Sequence, residues 1–235
     1  MAAVDLGNKL NIRASTVLHA LKQMIEDGQV NKSDLYYSLT NIGKIHSIHL
    51  DELTSAIVLL ERHKNYWLTH DLSAVPDYLL SNIGMLIHSQ TISSDATAPL
   101  NSLDNFMVEV SKSEIVRGFS SFIIPGFAEL VQNCAKRGAR VELILTDAIL
   151  KIISTTQASS LIKLQDFDNV NLYHYGPAVN IGFTVTESLL ALGLYRTDGR
   201  LDLGSEIICI GKSATDWGNQ LFEYYKKDSK LIKSS

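Results

Sequence analysis

Two cysteines in 235 residues are too few to staple a fold. Cys134 and Cys209 stand far apart with no CxxC neighbour, which argues against a disulfide framework and against a thiolate zinc site. Buried free thiols are expected, with redox sensing by the pair as the alternative. No apolar run reaches the roughly 20 residues needed to span a bilayer, and no signal peptide opens the sequence, so no membrane partner and a cytoplasmic location are expected. A basic excess is also missing. A net charge of −4 and a pI near 6.0 argue against bulk coating of nucleic acid and against binding to an anionic membrane.

Nucleotide and metal signatures are equally scarce. Gly211-Lys212-Ser213 would need a glycine at position 206 to form a P-loop, and Glu206 stands there. The acids of GLYRTDGRLDLG do not have EF-hand spacing, and Asp198-Gly199 reads as a hairpin turn. Five of the seven histidines fall in the first third of the chain, at 19, 46, 49, 63 and 70. Only His46 and His49 share a helical face, and they have no cysteine or HExxH company, so surface or interface roles are expected. No metal and no cofactor is expected.

What is present begins at the start of the chain. With 46% hydrophobic and 20% charged residues, the chain can bury a substantial core in about two domains. Val4, Leu6, Leu10 and Ile12 fit one face of a first helix, and Val17, Leu21, Met24 and Ile25 one face of a second. Asn11, Arg13 and Ser15 supply turn and N-cap chemistry between them, and Gly28 suits a left-handed C-terminal cap. Val30 starts a strand, Asn31, Lys32, Ser33 and Asp34 read as a turn, and Leu35, Tyr37 and Leu39 alternate as a second strand. This is the outline of a winged helix-turn-helix, whose second helix enters the major groove of double-stranded DNA while the wing straddles a backbone. The outward residues Arg13, Ser15, Thr16, His19 and Gln23 are its candidate contacts, with Lys22 placed for phosphate and Lys32 at the wing tip. Arg13 and Gln23 suit purine edges, and the hydroxyls suit positioning.

Two features count against simple DNA binding. Through Lys44 five cations face four acids, Asp5, Glu26, Asp27 and Asp34, which is barely basic. A winged helix also normally has another helix ahead of these two, with only Met1 to Ala3 available for it, so a fragment or an internally numbered chain is expected. The expected division is a winged helix over 1–45, a linker helix over 46–70 and an α/β domain over 71–235. A long helix is read from about Asn41 to Tyr66, with Leu50, Leu53, Ile57, Leu60 and Lys64 on one stripe. That stripe fits a twin helix in a homodimer or the second domain, the dimer suiting two DNA half-sites.

Beyond the NYWLTHDLSAVP crossover, short strands are read at 87–92, 115–122, 141–146, 170–174, 181–186, 189–195 and 206–210, the sixth forming a hairpin with the fifth. Helices are read at 101–110, 126–137, 148–153, 159–165 and 215–227. This alternation indicates an α/β sandwich with a largely parallel sheet.

The winged helix, that crossover, VRGFSSFIIPGFAEL, RGARVELILT, IGFTVTESLLALGLY and DWGNQLFEYYKK together resemble the archaeal methanogenesis-regulatory (FilR-type) family of winged-helix transcription regulators. The resemblance implies a cytoplasmic archaeal regulator with an N-terminal winged helix and a C-terminal regulatory domain. That domain in turn resembles phospholipase D-type folds, whose His-x-Lys-x4-Asp motif supplies nucleophile, phosphate-holding cation and orienting acid. In NIGFTVTE, Asn180, Gly182 and Glu187 stand at those places, so the motif is degenerate and no enzyme is expected.

A fold without its catalytic residues can keep its pocket for a small-molecule effector. Strand ends supply candidates for its lining: Ser120, Ser121 and Phe122 before the Pro125-Gly126 turn, His174 and Tyr175, Asn180 and Thr184, and Tyr195 and Arg196. Each has another reading, with Phe122 and Tyr195 as core, Ser121 as a helix cap and Arg196 as solvated surface. The leading function is a DNA-binding transcription regulator whose α/β domain senses a small molecule or otherwise mediates regulation. The alternatives are a protein-interaction module without a small ligand and a residual phosphodiesterase.

Overall fold

A computed structural model of the chain describes residues 2–93, 101–156, 164, 166–202 and 204–232. It divides into two compact units, residues 1–55 and 56–235.

The first unit opens with α1 (Ala3–Leu10) and α2 (Ala14–Glu26), followed by a hairpin of β1 (Val30–Ser33) and β2 (Tyr36–Leu39). Val17, Leu21 and Val30 form its buried hydrophobic cluster, packed against Ala3, Leu6, Met24 and Tyr37. Val4, Leu10, Ile12 and Ile25 do not turn inward as the periodicity had them; Val4 and Leu10 are 62% and 61% exposed. Val4 and Leu6 lie about 200° apart on a helix, so an eight-residue α1 cannot bury both. Asn11 takes the left-handed conformation after α1, and Arg13 occupies the N-cap of α2 without a side-chain cap bond. Gly28 closes α2 at φ +69°. Ser33 pairs with Tyr36, so the wing tip is Asp34-Leu35, and Lys32 is a strand residue opposite Tyr37 instead of the tip. Asp34 tolerates the positive φ of 52° that this short turn requires.

α3 (Asn41–Arg62) starts where Thr40 accepts from the Gly43 amide and donates to the Gly28 and Gln29 carbonyls. A side chain at Gly43 would come within 3.0 Å of the Gln29 carbonyl carbon, so only glycine permits this approach. The division between the units falls inside α3. The helix expected to run on to Tyr66 stops at Arg62, and α4 (Lys64–Thr69) follows. His63 explains the break. It is buried, with ring nitrogens 3.1 Å from the Ser89 carbonyl and 2.5 Å from the Thr91 hydroxyl.

The second unit is built on one eight-stranded sheet. Its strands are β3 (Gln90–Ser93), β4 (Ile115–Ser120), β5 (Arg140–Thr146), β6 (Val170–Tyr175), β7 (Ile181–Val185), β8 (Leu189–Leu194), β9 (Ser205–Ile210) and β10 (Lys230–Leu231), in the order β10-β6-β5-β4-β7-β8-β9-β3. Only the pairs β4/β5 and β5/β6 are parallel, so the sheet is mixed and not largely parallel. Short connections from β7 to β8 to β9 force antiparallel pairing, because a parallel return needs a helical crossover. The helix expected at 159–165 lies outside the described residues apart from Leu164.

Both faces of the sheet are covered. On one lie α6 (Asn101–Lys112), α7 (Phe127–Lys136) and α8 (Asp147–Thr156), contributing Phe106, Val110, Val131 and Ile149 to a core with Val141, Leu143 and Leu145. The other carries α5 (Asp77–Leu80), a 3-10 turn Ile83–Leu86 and the terminal α9 (Lys212–Lys227), whose Trp217, Leu221, Phe222 and Tyr225 are buried against Phe119, Ile144 and Phe183. Trp217 Nε1 donates to the Leu79 carbonyl at 2.9 Å and the Tyr225 hydroxyl to that of Ala74 at 2.5 Å, tying α9 to the crossover. The crossover itself is ordered. His70 stacks on Tyr66 at 3.9 Å, and the Asp71 amide donates to the Tyr195 carbonyl at 2.8 Å. Both cysteines are buried, and burial pushes their thiols up, Cys209 to about 11.

A carboxylate fastens α9 to the sheet. Glu142, 1% exposed, accepts from Lys226 at 2.6 Å and Arg117 at 2.9 Å, with Arg140 at 3.4 Å. Burial would push its carboxyl up, but the Lys226 hydrogen bond and the charges of Arg117, Lys226 and Arg140 outweigh it and hold the group below its ordinary 4.5. A depressed carboxylate stabilises the fold above its ordinary value and loses that contribution as pH falls through the folded one. Glu142→Leu is expected to lower unfolding free energy by about 3 kcal/mol at neutral pH, the low end for a broken buried pair because Lys226 and Arg117 reach solvent. In urea titrations the deficit should shrink in acid, below the carboxyl's ordinary range.

Candidate functional site

Two surfaces concentrate the candidate residues. In the first unit, burial of Val17 and Leu21 turns the opposite side of α2 outward, so Arg13, Ser15, Thr16, His19, Lys22 and Gln23 are all exposed. Lys22 sits 4.0 Å from Glu26 one turn on, an exposed pair too weak to hold it back from another anion. Lys32 stands over the Tyr37 ring, 6.0 Å from its centroid. An open groove of about 330 Å3, lined by Leu6, Leu10, Ile12, Leu21, Met24 and Leu39 among others, runs beside the buried side of α2.

The second site is a cavity of about 100 Å3 between the sheet and α6, α7 and α8. It exists because side chains alternate along a strand. Gly118 and Ser120 of β4, Gly182 and Thr184 of β7, and Ala191 and Gly193 of β8 put their small residues on one face, while Phe119, Phe183 and Leu192 fill the other. Phe122 leans over the hollow. A side chain on Gly182 would come within 2.6 Å of Phe122 Cζ, and one on Gly193 within 3.3 Å. The walls are Phe106, Phe127, Leu143, Leu145 and Ile149, and one acid, Glu206 of β9, reaches in. Burial pushes the Glu206 carboxyl up.

The cavity brings together only three of the nine expected effector residues: Ser120, Phe122 and Thr184. Ser120 spends its hydroxyl on the Phe122 carbonyl at 2.5 Å, and Ser121 donates outside the cavity to Ile181 at 2.7 Å. Tyr195 meets the edge of Phe122 at 6.1 Å without lining the space. Arg196 is exposed and pairs with Asp202 at 3.4 Å. Tyr175 belongs to the opposite face, 5.5 Å from Phe119 and 5.3 Å from Tyr225. His174 pairs with Asp147, and Asn180 is exposed just before β7. The hollow lies over the sheet face that carries Gly118, Gly182 and Gly193, away from the ends of β6 and β8 where His174, Tyr175, Tyr195 and Arg196 stand. The missed residues, Gly118, Gly182, Gly193 and Glu206, carried a legible signal in the period-two spacing Gly-x-Ser, Gly-x-Thr and Ala-x-Gly. Gly182 has no room for a lysine beneath Phe122, and Glu187 accepts the Glu114 and Ile115 amides at 3.1 and 3.2 Å.

A winged helix joined by a long helix to a two-faced α/β domain defines a class of two-unit, helix-linked protein. Residues 1–58 match the model of the methanogenesis regulatory protein FilR1 N-terminal domain, and residues 99–228 that of its middle domain. The chain belongs to the FilR1 methanogenesis regulatory protein family. Methanogenesis regulatory protein FilR1 of Methanothrix harundinacea (strain 6Ac) is 34% identical over 232 residues, 97% of this chain and 52% of that protein. The chain thus spans about half the length of that curated relative. Among solved structures, TrmBL2, an archaeal chromatin protein described as showing a novel mode of DNA binding, shares the fold at TM-score 0.50 and 11% identity over 99% of this chain and 88% of its own. Nuc, a phospholipase D family member from Salmonella typhimurium, aligns at TM-score 0.44 and 12% identity over 62% of this chain and 98% of its own, too distant a likeness to bear on the site. Among the described residues no helix is long and apolar enough to cross a membrane.

The contact between Phe122 and Gly182 is open to a direct check. Gly182→Ala should destabilise the protein by about 1–3 kcal/mol through overpacking. Much of that loss should disappear in a Phe122→Leu background, as read by denaturant unfolding of the two single variants and the double.

Proposed function

We propose that this chain is a cytoplasmic DNA-binding transcription regulator that works as a homodimer and senses a small molecule through its α/β domain. The observation that carries the reading is α2, which buries Val17 and Leu21 and leaves six polar candidates exposed along one side of a helix-turn-helix. Such a helix lies in a major groove with its N-terminal residues toward base edges. The regulatory name of the 34% identical relative supports the same role. With so little net positive charge, binding relies on a few placed contacts and on two units acting together.

The dimer is supported by α3. Leu50, Leu53, Ile57 and Leu60 repeat at heptad spacing and are 40–61% exposed, an apolar seam that a second copy of the helix would cover. The cavity supplies the sensor, as a concave apolar space with few polar groups is the usual form of a small-molecule site. Effector binding there would bias the placement of the two winged helices. A protein-interaction module is the second reading, favoured by the apolar groove beside α2. A residual phosphodiesterase has no support, since the place of its lysine is a glycine closed over by Phe122.

Footprinting and fluorescence anisotropy on the DNA upstream of the protein's own coding sequence test the reading. Arg13→Ala and Gln23→Ala are each expected to weaken specific binding by about tenfold, within the range of one base contact. Lys22→Ala should weaken all sequences alike and lower the salt slope by about one. Absence of any protected site with the unaltered protein would leave the interaction-module reading in its place. For the dimer, Leu53→Asp with Leu60→Asp should shift the sedimenting species from dimer to monomer without unfolding either unit.

A further inference from the structure

The cavity holds a chemical imbalance. Its lining is almost wholly apolar, yet Glu206 projects a carboxyl into it, and no cation or hydrogen-bond donor meets that group among the described residues. Glu206 is half-buried in this apolar lining, where a carboxylate is poorly solvated, and that cost is relieved when a positive charge arrives beside it. The rest of the lining suits the same visitor. Phe106, Phe122 and Phe127 surround the space, with Phe106 and Phe127 stacked in parallel at 6.2 Å. Aromatic faces attract cations within about 6 Å of the ring, and aromatic cages with a nearby acid are how ammonium groups are bound. The Thr184 hydroxyl also opens on the space without a partner among the described residues.

We propose that the cavity takes a small aliphatic amine, its ammonium group held by Glu206 and the phenylalanine rings and its hydrocarbon body set against Leu143, Leu145 and Ile149. This rests on the reading of the cavity as a sensor site and gives that site its ligand class. Size sets the limit. At about 100 Å3 the space is smaller than the ~150 Å3 cavity that admits benzene, so the ligand is a short branched or linear monoamine and not a nucleotide, a lipid or a long polyamine. Glu206 gains a counter-charge only when the site is occupied, which makes the amine an effector that stabilises the occupied domain.

Propylamine and 1-propanol are the probes, being alike in shape, different in charge and both smaller than benzene. Methyl NMR titrations of the full chain are expected to show both bound, with the amine about tenfold or more tighter, the order of one charge-assisted contact. In Glu206→Gln that preference should vanish while alcohol binding persists. In Ala191→Met, which fills the floor with a flexible side chain, both should be lost while the remaining spectrum is unchanged. Equal binding of the two probes by the unaltered protein, or an amine preference that survives Glu206→Gln, overturns the amine assignment and leaves the sensor reading standing. Failure of both probes to bind overturns the assignment and removes the cavity from the sensor reading as well.

Discussion

The second unit depends on one constraint, the two-residue period of a strand applied across three neighbouring strands at once. Where β4, β7 and β8 carry glycine, alanine, serine or threonine at alternate positions, the sheet has a face with little volume on it. The intervening residues are Phe119, Phe183, Leu190 and Leu192, so the opposite face is filled. One face therefore packs tightly against α9, and the other leaves a hollow beneath α6, α7 and α8. A one-residue slip of β7 would exchange the two and destroy both.

That asymmetry divides the work of the domain. The α9 face is fastened by Trp217, Phe222 and Tyr225 and by the carboxylate of Glu142 held among three cations. Breaking such a cluster leaves charges stranded, so this face is costly to open. The other face carries the hollow, with the Phe122 ring lying close over Gly182.

The helices between the units have a similar duality. His63 and His70 are locked by hydrogen bonds into the second unit, which fixes where α3 ends and α4 begins. Along α3, by contrast, apolar residues face solvent at heptad spacing. These residues are the seam on which the proposed dimer rests.

Much of this was legible in the residues themselves. The winged hairpin, the strands of the second unit and most of its helices follow from local periodicity, and Gly28 marked the end of α2 because a left-handed cap favours glycine. The polar side of α2 was equally readable, since burial of Val17 and Leu21 dictates which residues remain outside. What depended on tertiary structure was pairing and depth. Short connections turned β7, β8 and β9 antiparallel, and the eight-residue α1 partly buried Leu6 while Val4, about 200° away, stayed exposed. The cavity belongs to this second group. Gly118, Gly182, Gly193 and Glu206 are far apart along the chain, and only the order of strands in the sheet sets their small and acidic side chains around one space, because a hollow is made by neighbours that local periodicity does not identify.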